Sequence, residues 1–419
     1  MKRVLMVAFH FPPLAGSSGI QRTLRFVQHL PRFGWEPAVI SADPRAYERT
    51  SDDLIAEIPA GVKVKRSFAL DTARHLSVGG RYIGAMARPD RWVSWKLAAV
   101  RDGMKMIRAL KPAAIWSTYP IATAHLIGAE LHRKTGLPWI ADFRDPMAQD
   151  GYPADPAIWN AFKEIEENAA RNAAYCVFTT PGAAQLYRER YPYAAERIVV
   201  LENGYDEETF SSQQQLGNAG EPLNDGVVTL LHSGIVYPEE RDPTQLFVAL
   251  KQLKENGKLR GNQLRIRFRA AVHDELLNAL AAQYDVGEFI ELCPQIPYRE
   301  ALAEMLRADV LLVMQAANCN AQIPAKIYEY LRAGRPIAAL TDPQGDTAGA
   351  LRQAGIDWIS QLDDSDAIAA RLLEIHATVC ANAAPLPLPA AVAGASRLSR
   401  SEELVSYLER CTATVLNKA

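Results

Sequence analysis

Cysteine is scarce in this chain. There are five in 419 residues (Cys176, Cys293, Cys319, Cys380 and Cys411), odd in number, far apart and never spaced as CxxC. This excludes a disulfide framework, argues against a structural zinc site, and fits buried thiols in a reducing cytoplasm. The eight histidines form no HExxH, so that route to a metal site is missing as well. No apolar run reaches the roughly 18–20 residues that a membrane-crossing helix needs. Met1-Lys2-Arg3 and the apolar residues 4–11 have two parts of a signal peptide, but Pro12-Pro13 follows and no small-residue cleavage site does. The segment is expected to be a first β-strand. The turn after it lacks GxGxxG, the fingerprint a dinucleotide-binding protein would carry there. No sequence repeat is present, and the net charge is only −2.

Hydrophobic residues make up 48% of the chain and charged residues 22%. That is the balance of a soluble globular protein, and the length suits two domains of roughly 200 residues each. The small net charge hides an asymmetry: residues 1–200 carry 27 Lys/Arg against 19 Asp/Glu, and residues 201–419 carry 19 against 29. Residues 60–111 alone hold twelve basic side chains and three acidic ones (Asp71, Asp90, Asp102), with Trp92 and Trp95 among them. Such a region attracts anionic lipid headgroups or a lipid-linked phosphate, which would give a peripheral membrane contact. The alternative is a solvated helix face with two half-buried tryptophans. Nucleic acid is not an expected partner, because no nucleic-acid motif accompanies the basic residues.

Short apolar runs alternate with helical spacing along the chain. Strands are expected over 4–9, 37–41, 113–117, 139–142, 176–179 and 198–201, with helices at 21–33, 121–135 and 158–172 among those between them. The stretch 208–226 is polar and without hydrophobic period, and reads as a linker. A second series follows at 227–231, 264–269, 289–292, 310–314 and 336–340; residues 381–395 break it, and 401–416 form a last helix. The βαβα order predicts an α/β protein with two doubly wound parallel sheets and a cleft between them, with ligands beyond the carboxyl ends of the strands.

Four segments carry chemistry. In FHFPPLAGSSGIQR (9–22), Gly16 and Gly19 let the backbone approach a ligand and a helix start near Gly19 points its positive end the same way. In WIADFRDP (139–146) a strand ends in Asp142, Arg144 and Asp145, which suit sugar hydroxyls or phosphate charge; the alternative is an Arg–Asp pair fastening a turn. LLHSG (230–234) ends a strand at a tight turn, and Arg241 stands seven residues on, near the next helix. A phosphate would meet guanidinium and helix end together, unless Arg241 pairs with Glu239 or Glu240 at the surface. In IPAKIYEYLRAGRPI (323–337), Pro324 sits at a helix N-terminus, Lys326–Ala333 form the helix and Gly334 ends it. The exposed N–H groups of that helix with Lys326 suit a diphosphate, and Glu329, one turn on, can accept two hydroxyls of a ribose.

These segments resemble the family-4 glycosyltransferases, which have the GT-B fold of two Rossmann-like domains and transfer a sugar from a nucleotide with retention of anomeric configuration. The likeness includes Gly19-Ile20-Gln21, Asn203-Gly204-Tyr205-Asp206 with Phe210, Gly234 with Arg241, and the KIYEYLRAGRPI helix. Pro89-Asp90, Ser117-Thr118-Tyr119-Pro120 and Asp142-Phe143-Arg144-Asp145-Pro146 resemble a bacterial surface-polysaccharide branch of the family. The resemblance implies that Glu329 holds the donor ribose and Arg241 the donor diphosphate. It places Gly19, Gly234, Ile323, Pro324, Ala325 and Lys326 at the donor, and Gly16, Ser17, Asp142 and Arg144 on the acceptor side. Arg144, Asp145, Arg241 and Lys326 become the catalytic candidates. Three positions depart from the family: Ala321 stands for the first Glu of E-x7-E, Ile235 for an Arg after the glycine, and Arg144 for a His. Lys326 is the candidate replacement cation.

Three signals are set aside. Asp364-Ser365-Asp366 matches DxD but precedes a helical run and reads as a cap. Glu164, Glu166 and Glu167 read as a solvated helix face, and His125 and His232 as structural, with His10 the exception because it precedes the glycine loop. The expected domains are 1–207 for the acceptor, a linker at 208–226, 227–395 for the nucleotide sugar, and 396–419 as a helix returning to the first domain. The expected activity is a metal-independent, cofactor-free, retaining hexosyl-type transfer from a nucleotide-diphosphate sugar to a glycan or lipid-linked acceptor in surface-polysaccharide synthesis, in the cytoplasm or at the inner face of its membrane. The alternatives are a non-catalytic sugar-nucleotide-binding scaffold and a nucleotide-sugar 2-epimerase on the same fold.

Overall fold

The computed structural model describes residues 1–17, 19–214 and 221–416. Strands buried on both faces read as continuous apolar runs, and β1 (Lys2–Ala8) is the type case: residues 4–8 are all buried. It forms a seven-stranded sheet with β2 (Trp35–Ala42), β3 (Lys63–Ser67), β4 (Ala114–Thr118), β5 (Trp139–Arg144), β6 (Tyr175–Phe178) and β7 (Ile198–Val200), in the order β3-β2-β1-β4-β5-β6-β7. A second sheet of six strands comprises β8 (Val228–Ser233), β9 (Leu264–Arg269), β10 (Ile290–Cys293), β11 (Val310–Met314), β12 (Ile337–Leu340) and β13 (Ile359–Ser360), in the order β10-β9-β8-β11-β12-β13. Every pairing in both sheets is parallel. The order reverses between β1 and β4 in one sheet and between β8 and β11 in the other, and such switch points open a crevice at the strands' carboxyl ends.

The chain divides into two compact units, residues 1–203 with 397 onward, and Gly204–Ser396. In each, helices cover both faces of the sheet and make two apolar cores. Trp35, Trp95, Trp116 and Trp139 are wholly buried in the first unit. Truncating any one to Ala would cost about 3–5 kcal/mol. The helix Gly19–His29 buries Ile20, Leu24 and Val27 at helical spacing, and the chain turns at Gly34 with φ 82. The C-terminal helix Arg397–Leu416 belongs to the first unit, where Leu404, Tyr407, Leu408 and Cys411 enter the core with Leu24, Trp35 and Trp116. No helix among the described residues is long and apolar enough to cross a membrane.

The polar stretch expected as a linker differs. Glu207–Gln214 is a helix, started by Asp206, whose carboxylate accepts from Glu208 N (3.2 Å) and Thr209 Oγ1 (3.1 Å). It is anchored by fully buried Phe210 and by Arg332 donating to Glu207 at 2.6 Å. One aromatic anchor and one ion pair replace the apolar period that sequence reasoning looks for. The unit boundary falls at Asn203/Gly204 accordingly, and residues 215–220 lie outside the described ones. Strand β3 was also invisible to the apolar pattern, because KVKRS is an edge strand that alternates exposed with partly buried residues.

Candidate functional site

In the first unit, the loop leaving β1 and the end of β5 converge at the switch point. Ser17 Oγ accepts from Gly19 N (3.2 Å) and lies 2.8 Å from His10 Nδ1. A Cβ on Gly19 would come within 2.6 Å of Arg144 Nη1 and 2.8 Å of His10 Nδ1, so the close approach requires glycine. Arg144 follows a bulge in the β5–β6 pairing and has φ 66, a left-handed conformation rare for arginine. Thr179 fixes that turn by donating its N–H (2.9 Å) and hydroxyl (2.8 Å) to the Arg144 carbonyl. The guanidinium is thereby aimed at Gly19, with Nη1 also 3.3 Å from Tyr119 O.

Burial, and secondarily the Arg144 charge, lowers the His10 pKa to about 4, so the imidazole is neutral at physiological pH. Asp145 is exposed at the rim, where the crowded atoms behind it raise its carboxyl against the opposing pull of Arg144 and Arg22. Beside His10 lies a concavity of about 270 Å³ walled by Phe9, Gly16, Ser17, Tyr47 and Trp92, with Arg49 at its edge.

Asp142 pairs with Arg22 and not with Arg144, although its charge reaches the Arg144 guanidinium. It is wholly buried and takes a bidentate pair from Arg22, Nη2 to Oδ1 at 2.8 Å and Nε to Oδ2 at 3.1 Å, plus Thr118 Oγ1 at 2.7 Å. Its expected acceptor contact is therefore corrected: with its oxygens engaged and no surface, it is a structural anion. Arg22 also donates to the carbonyls of Leu201 (2.9 Å) and Glu202 (3.0 Å), so it ties β5 to the end of the first unit. Glu166 is likewise not a solvated face residue. It is wholly buried, accepting from Ala148 N (2.7 Å), Arg190 Nη1 (2.8 Å), Tyr191 Oη (3.0 Å) and Tyr187 Oη, and it pins the loop that follows Asp145.

In the second unit, β8 is followed directly by Gly234, with φ 122, where a Cβ would meet Lys326 Nζ at 3.0 Å. Arg241 is paired with neither Glu239 nor Glu240. Its Nη1 donates to the Ile235 carbonyl and its guanidinium lies 5.1 Å over the Tyr237 ring. Helix Lys326–Ala333 presents its first turn here, anchored to β8 by the buried Tyr330, whose hydroxyl accepts from Ser233 N at 3.0 Å.

Lys326 Nζ lies 3.5 Å from His232 Nε2, and the other ring nitrogen, Nδ1, is 3.1 Å from the Leu312 carbonyl, to which it donates. Nε2 is then the unprotonated nitrogen, and burial first, then Lys326, holds this imidazole well below the usual range. Burial, joined by the Arg241 charge and opposed by Glu329, brings Lys326 down to about 7. Glu329 Oε1 accepts from Tyr298 Oη at 2.6 Å.

The approach to the helix, residues 322–325, is braced by Gln315 Nε2 and Thr347 Oγ1, both donating to the Gln322 carbonyl at 3.1 Å. Ile323 is buried, Pro324 half-buried and Ala325 exposed at the helix cap, with no side chain capping the helix. Ala321, in the place of the first family glutamate, is exposed. Asp364 caps its helix by accepting from Ala367 N at 2.9 Å. Sequence reasoning missed Arg22, Tyr298 and the Trp92 wall; each acts on a residue far along the chain, so no local spacing marks it.

Two parallel doubly wound sheets, each with glycine and cation at its switch point, define a protein of the GT-B fold. Residues 18–204 match the model of the glycosyl transferase 4-like domain, so the first unit is a domain of that family. Over those residues the chain carries a glycosyltransferase-like domain, and the fold agrees with it. Similar solved structures include HepE from Anabaena in complex with UDP (14% identity, 98% of this chain and 100% of that one, TM-score 0.63). The α,α-trehalose 6-phosphate synthase of Burkholderia multivorans is similar as well (14%, 99% and 100%, TM-score 0.61), as is the sucrose-phosphate synthase of Thermosynechococcus elongatus (14%, 100% and 98%, TM-score 0.58). No curated protein sequence matches the chain.

Proposed function

We propose that the protein transfers a hexosyl-type group from a nucleotide-diphosphate sugar, held by the second unit, to a hydroxyl of a glycan or lipid-linked acceptor held by the first. The observation that carries this reading is the meeting of Lys326, Arg241 and the glycine turn at Gly234 on one strand end, with Glu329 one helical turn away. Two cations pressed together in a half-buried site destabilise each other until an anion of two or more charges arrives, which is the charge of a diphosphate. Glu329 then takes the ribose hydroxyls. HepE, of the same fold, was solved with UDP and with UDP-glucose, which makes UDP-sugars the first donors to try.

In the reaction, the bond from anomeric carbon to diphosphate oxygen breaks and the electron pair goes to the diphosphate, stabilised by Arg241 and Lys326. The acceptor oxygen bonds to that carbon on the same face, giving retention, and its proton passes to the departing diphosphate. Charge compensation by Arg241 and Lys326 supports transfer without a metal ion. Arg144, Asp145, Ser17 and the neutral His10 line the acceptor side. The basic first unit supports a surface-polysaccharide acceptor at the membrane.

Calorimetry with UDP-, GDP-, dTDP- and ADP-glucose in the presence of chelator tests the donor. One nucleotide should bind wild type, and Glu329→Ala should lose it; no binding across the panel refutes the donor site.

A further inference from the structure

The segment between β3 and the helix Trp95–Leu110 exposes what soluble surfaces ordinarily hide. Residues 78–86 are exposed without interruption, and among them Val78 and Ile83 keep 86% and 70% of their surface, with Tyr82 and Met86 beside them. The tip is a hairpin: Val78 N donates to Arg81 O (2.8 Å) and Arg81 N to Val78 O (3.2 Å). Gly79 and Gly80, at φ 58 and 76, form the two-residue turn.

The tip is held out from a fixed base. Thr72 N donates to Arg91 O (2.8 Å), Thr72 Oγ1 to Met86 O (2.8 Å), and Leu70 N to Ser94 Oγ (2.9 Å). No acid occurs between Asp71 and Asp90, whereas Arg74, Arg81 and Arg88 do. Both flanking acids are engaged inside: Asp71 caps the helix Thr72–His75, and Asp90 holds Thr123 N (2.7 Å) and Oγ1 (2.9 Å). The exposed face of the helix Trp95–Leu110 continues the same character in Leu97, Arg101, Lys105 and Arg108.

We propose that loop 76–88 docks the first unit on an anionic phospholipid surface, with Val78, Tyr82, Ile83 and Met86 entering the headgroup boundary and Arg81 and Arg88 on lipid phosphates. Apolar side chains interleaved with cations match the two attractions of such a surface, burial and charge. A second copy of the chain is a poorer partner, because a symmetric contact would set Arg81 and Arg88 against their own kind. The loop leaves the carboxyl edge of the sheet, the edge that carries His10 and Arg144, and Trp92 at its foot walls the concavity beside His10. Docking would therefore bring the acceptor side to the lipid surface. The inference deepens the membrane contact of the proposed function and rests on that reading, yet it is tested without nucleotide.

The full chain is sedimented with vesicles of phosphatidylcholine alone, and with one-third phosphatidylglycerol, at low and high salt. Wild type should bind only the anionic vesicles. V78E/I83E should lose about tenfold or more in partition. R81Q and R88Q should each lose about fivefold, with the loss fading in high salt. Absence of binding by wild type, or V78E/I83E within twofold of it, overturns the proposal. So does a concentration-dependent dimer in sedimentation velocity that the same double variant abolishes, which would assign the face to a second copy. UDP-sugar binding by the variants, measured without vesicles, should equal wild type; a wild type that binds vesicles but no nucleotide sugar sinks the donor reading and leaves this one standing.

Discussion

Lys326 gives the sharpest test of the second-unit site, because its charge is expected to cost the empty protein stability. Its ammonium titrates at about 7, against an ordinary 10.5, through burial and the neighbouring Arg241, with Glu329 pulling the other way and His232 neutral. Read as free energy at about 1.4 kcal/mol per pH unit, the ceiling is on the order of 5 kcal/mol below pH 7. Movement of the flexible side chain toward water and Glu329 reduces what is realised, and about 1–3 kcal/mol is expected. Lys326→Met keeps the volume and removes the charge. In a unit of this size it should raise the melting temperature at pH 6 by roughly 3–8 °C.

The sign with pH follows from proton counting. Between about 7 and 10.5 the unfolded lysine binds more protons than the folded one, so wild-type stability rises through that window. The variant's advantage is full below pH 7 and shrinks by about 1.4 kcal/mol per pH unit above it. A bound diphosphate reverses the logic by restoring the charge. UDP-sugar binding should then take up a proton, which calorimetry in two buffers of different ionisation enthalpy detects, and affinity should fall from pH 7 to 9. Differential scanning fluorimetry at pH 6, 7, 8 and 9 decides the matter. A variant that melts no higher than wild type at pH 6, or a gap that stays constant with pH, refutes the reasoning.

Three further outcomes follow from the geometry. Glu329→Ala should weaken UDP-sugar binding by about 10–100-fold with little effect on melting, whereas Tyr298→Phe, which removes only the hydroxyl donated to Glu329, should weaken it less than tenfold. Gly19→Ala places a methyl 2.6 Å from Arg144 Nη1 and 2.8 Å from His10 Nδ1. Transfer should drop by at least about tenfold through displacement of those groups, while donor binding by calorimetry stays at the wild-type level. Arg22→Ala strands the wholly buried Asp142 carboxylate and should destabilise by about 3–5 kcal/mol in denaturant titration; adding Asp142→Leu should recover part of that loss.

What the sequence made legible is what short-range physics encodes. The apolar runs of β1, β8 and β11 marked buried parallel strands, and glycine marked a helix start crowded by Arg144 and His10 at 19 and a positive-φ turn at 234. The Pro324 to Gly334 span bounded a helix from both ends. The failures share one cause. Asp142 is a neighbour of Arg144 in sequence, while its hydrogen-bond partner, Arg22, stands 120 residues away. Glu166 looked like a face residue because the tyrosines that bury it come from the next helix along. The 208–226 stretch looked like a linker because a single Phe and one Arg from another helix hold its first two turns. Local spacing reveals an element; it does not reveal which distant side chain satisfies a buried charge.

That distinction also separates the chemistry of the two units. In the first, the anion that faces the strand ends from inside, Asp142, is already neutralised by Arg22, and the histidine beside Arg144 is held uncharged. What remains at the surface is a serine hydroxyl and an aromatic wall, with Arg49 and Glu48 of opposite sign at the edge of the concavity, a set compatible with a neutral polyhydroxyl ring. In the second, the buried acid Glu304 closes on Arg267 and Arg269 of β9, and among the described residues it forms no ion pair with Arg241 or Lys326. Arg241 is steered by a carbonyl and a ring, Lys326 lies beside a neutral imidazole, and the single charge of Glu329, which also accepts from Tyr298, offsets only part of the two cations. Positive charge is therefore left for a ligand to compensate. The same topology thus sets a lone His10–Arg144 pair at one strand edge and two mutually repelling cations, Arg241 and Lys326, at the other, and the proposed acceptor and donor sites rest on that contrast.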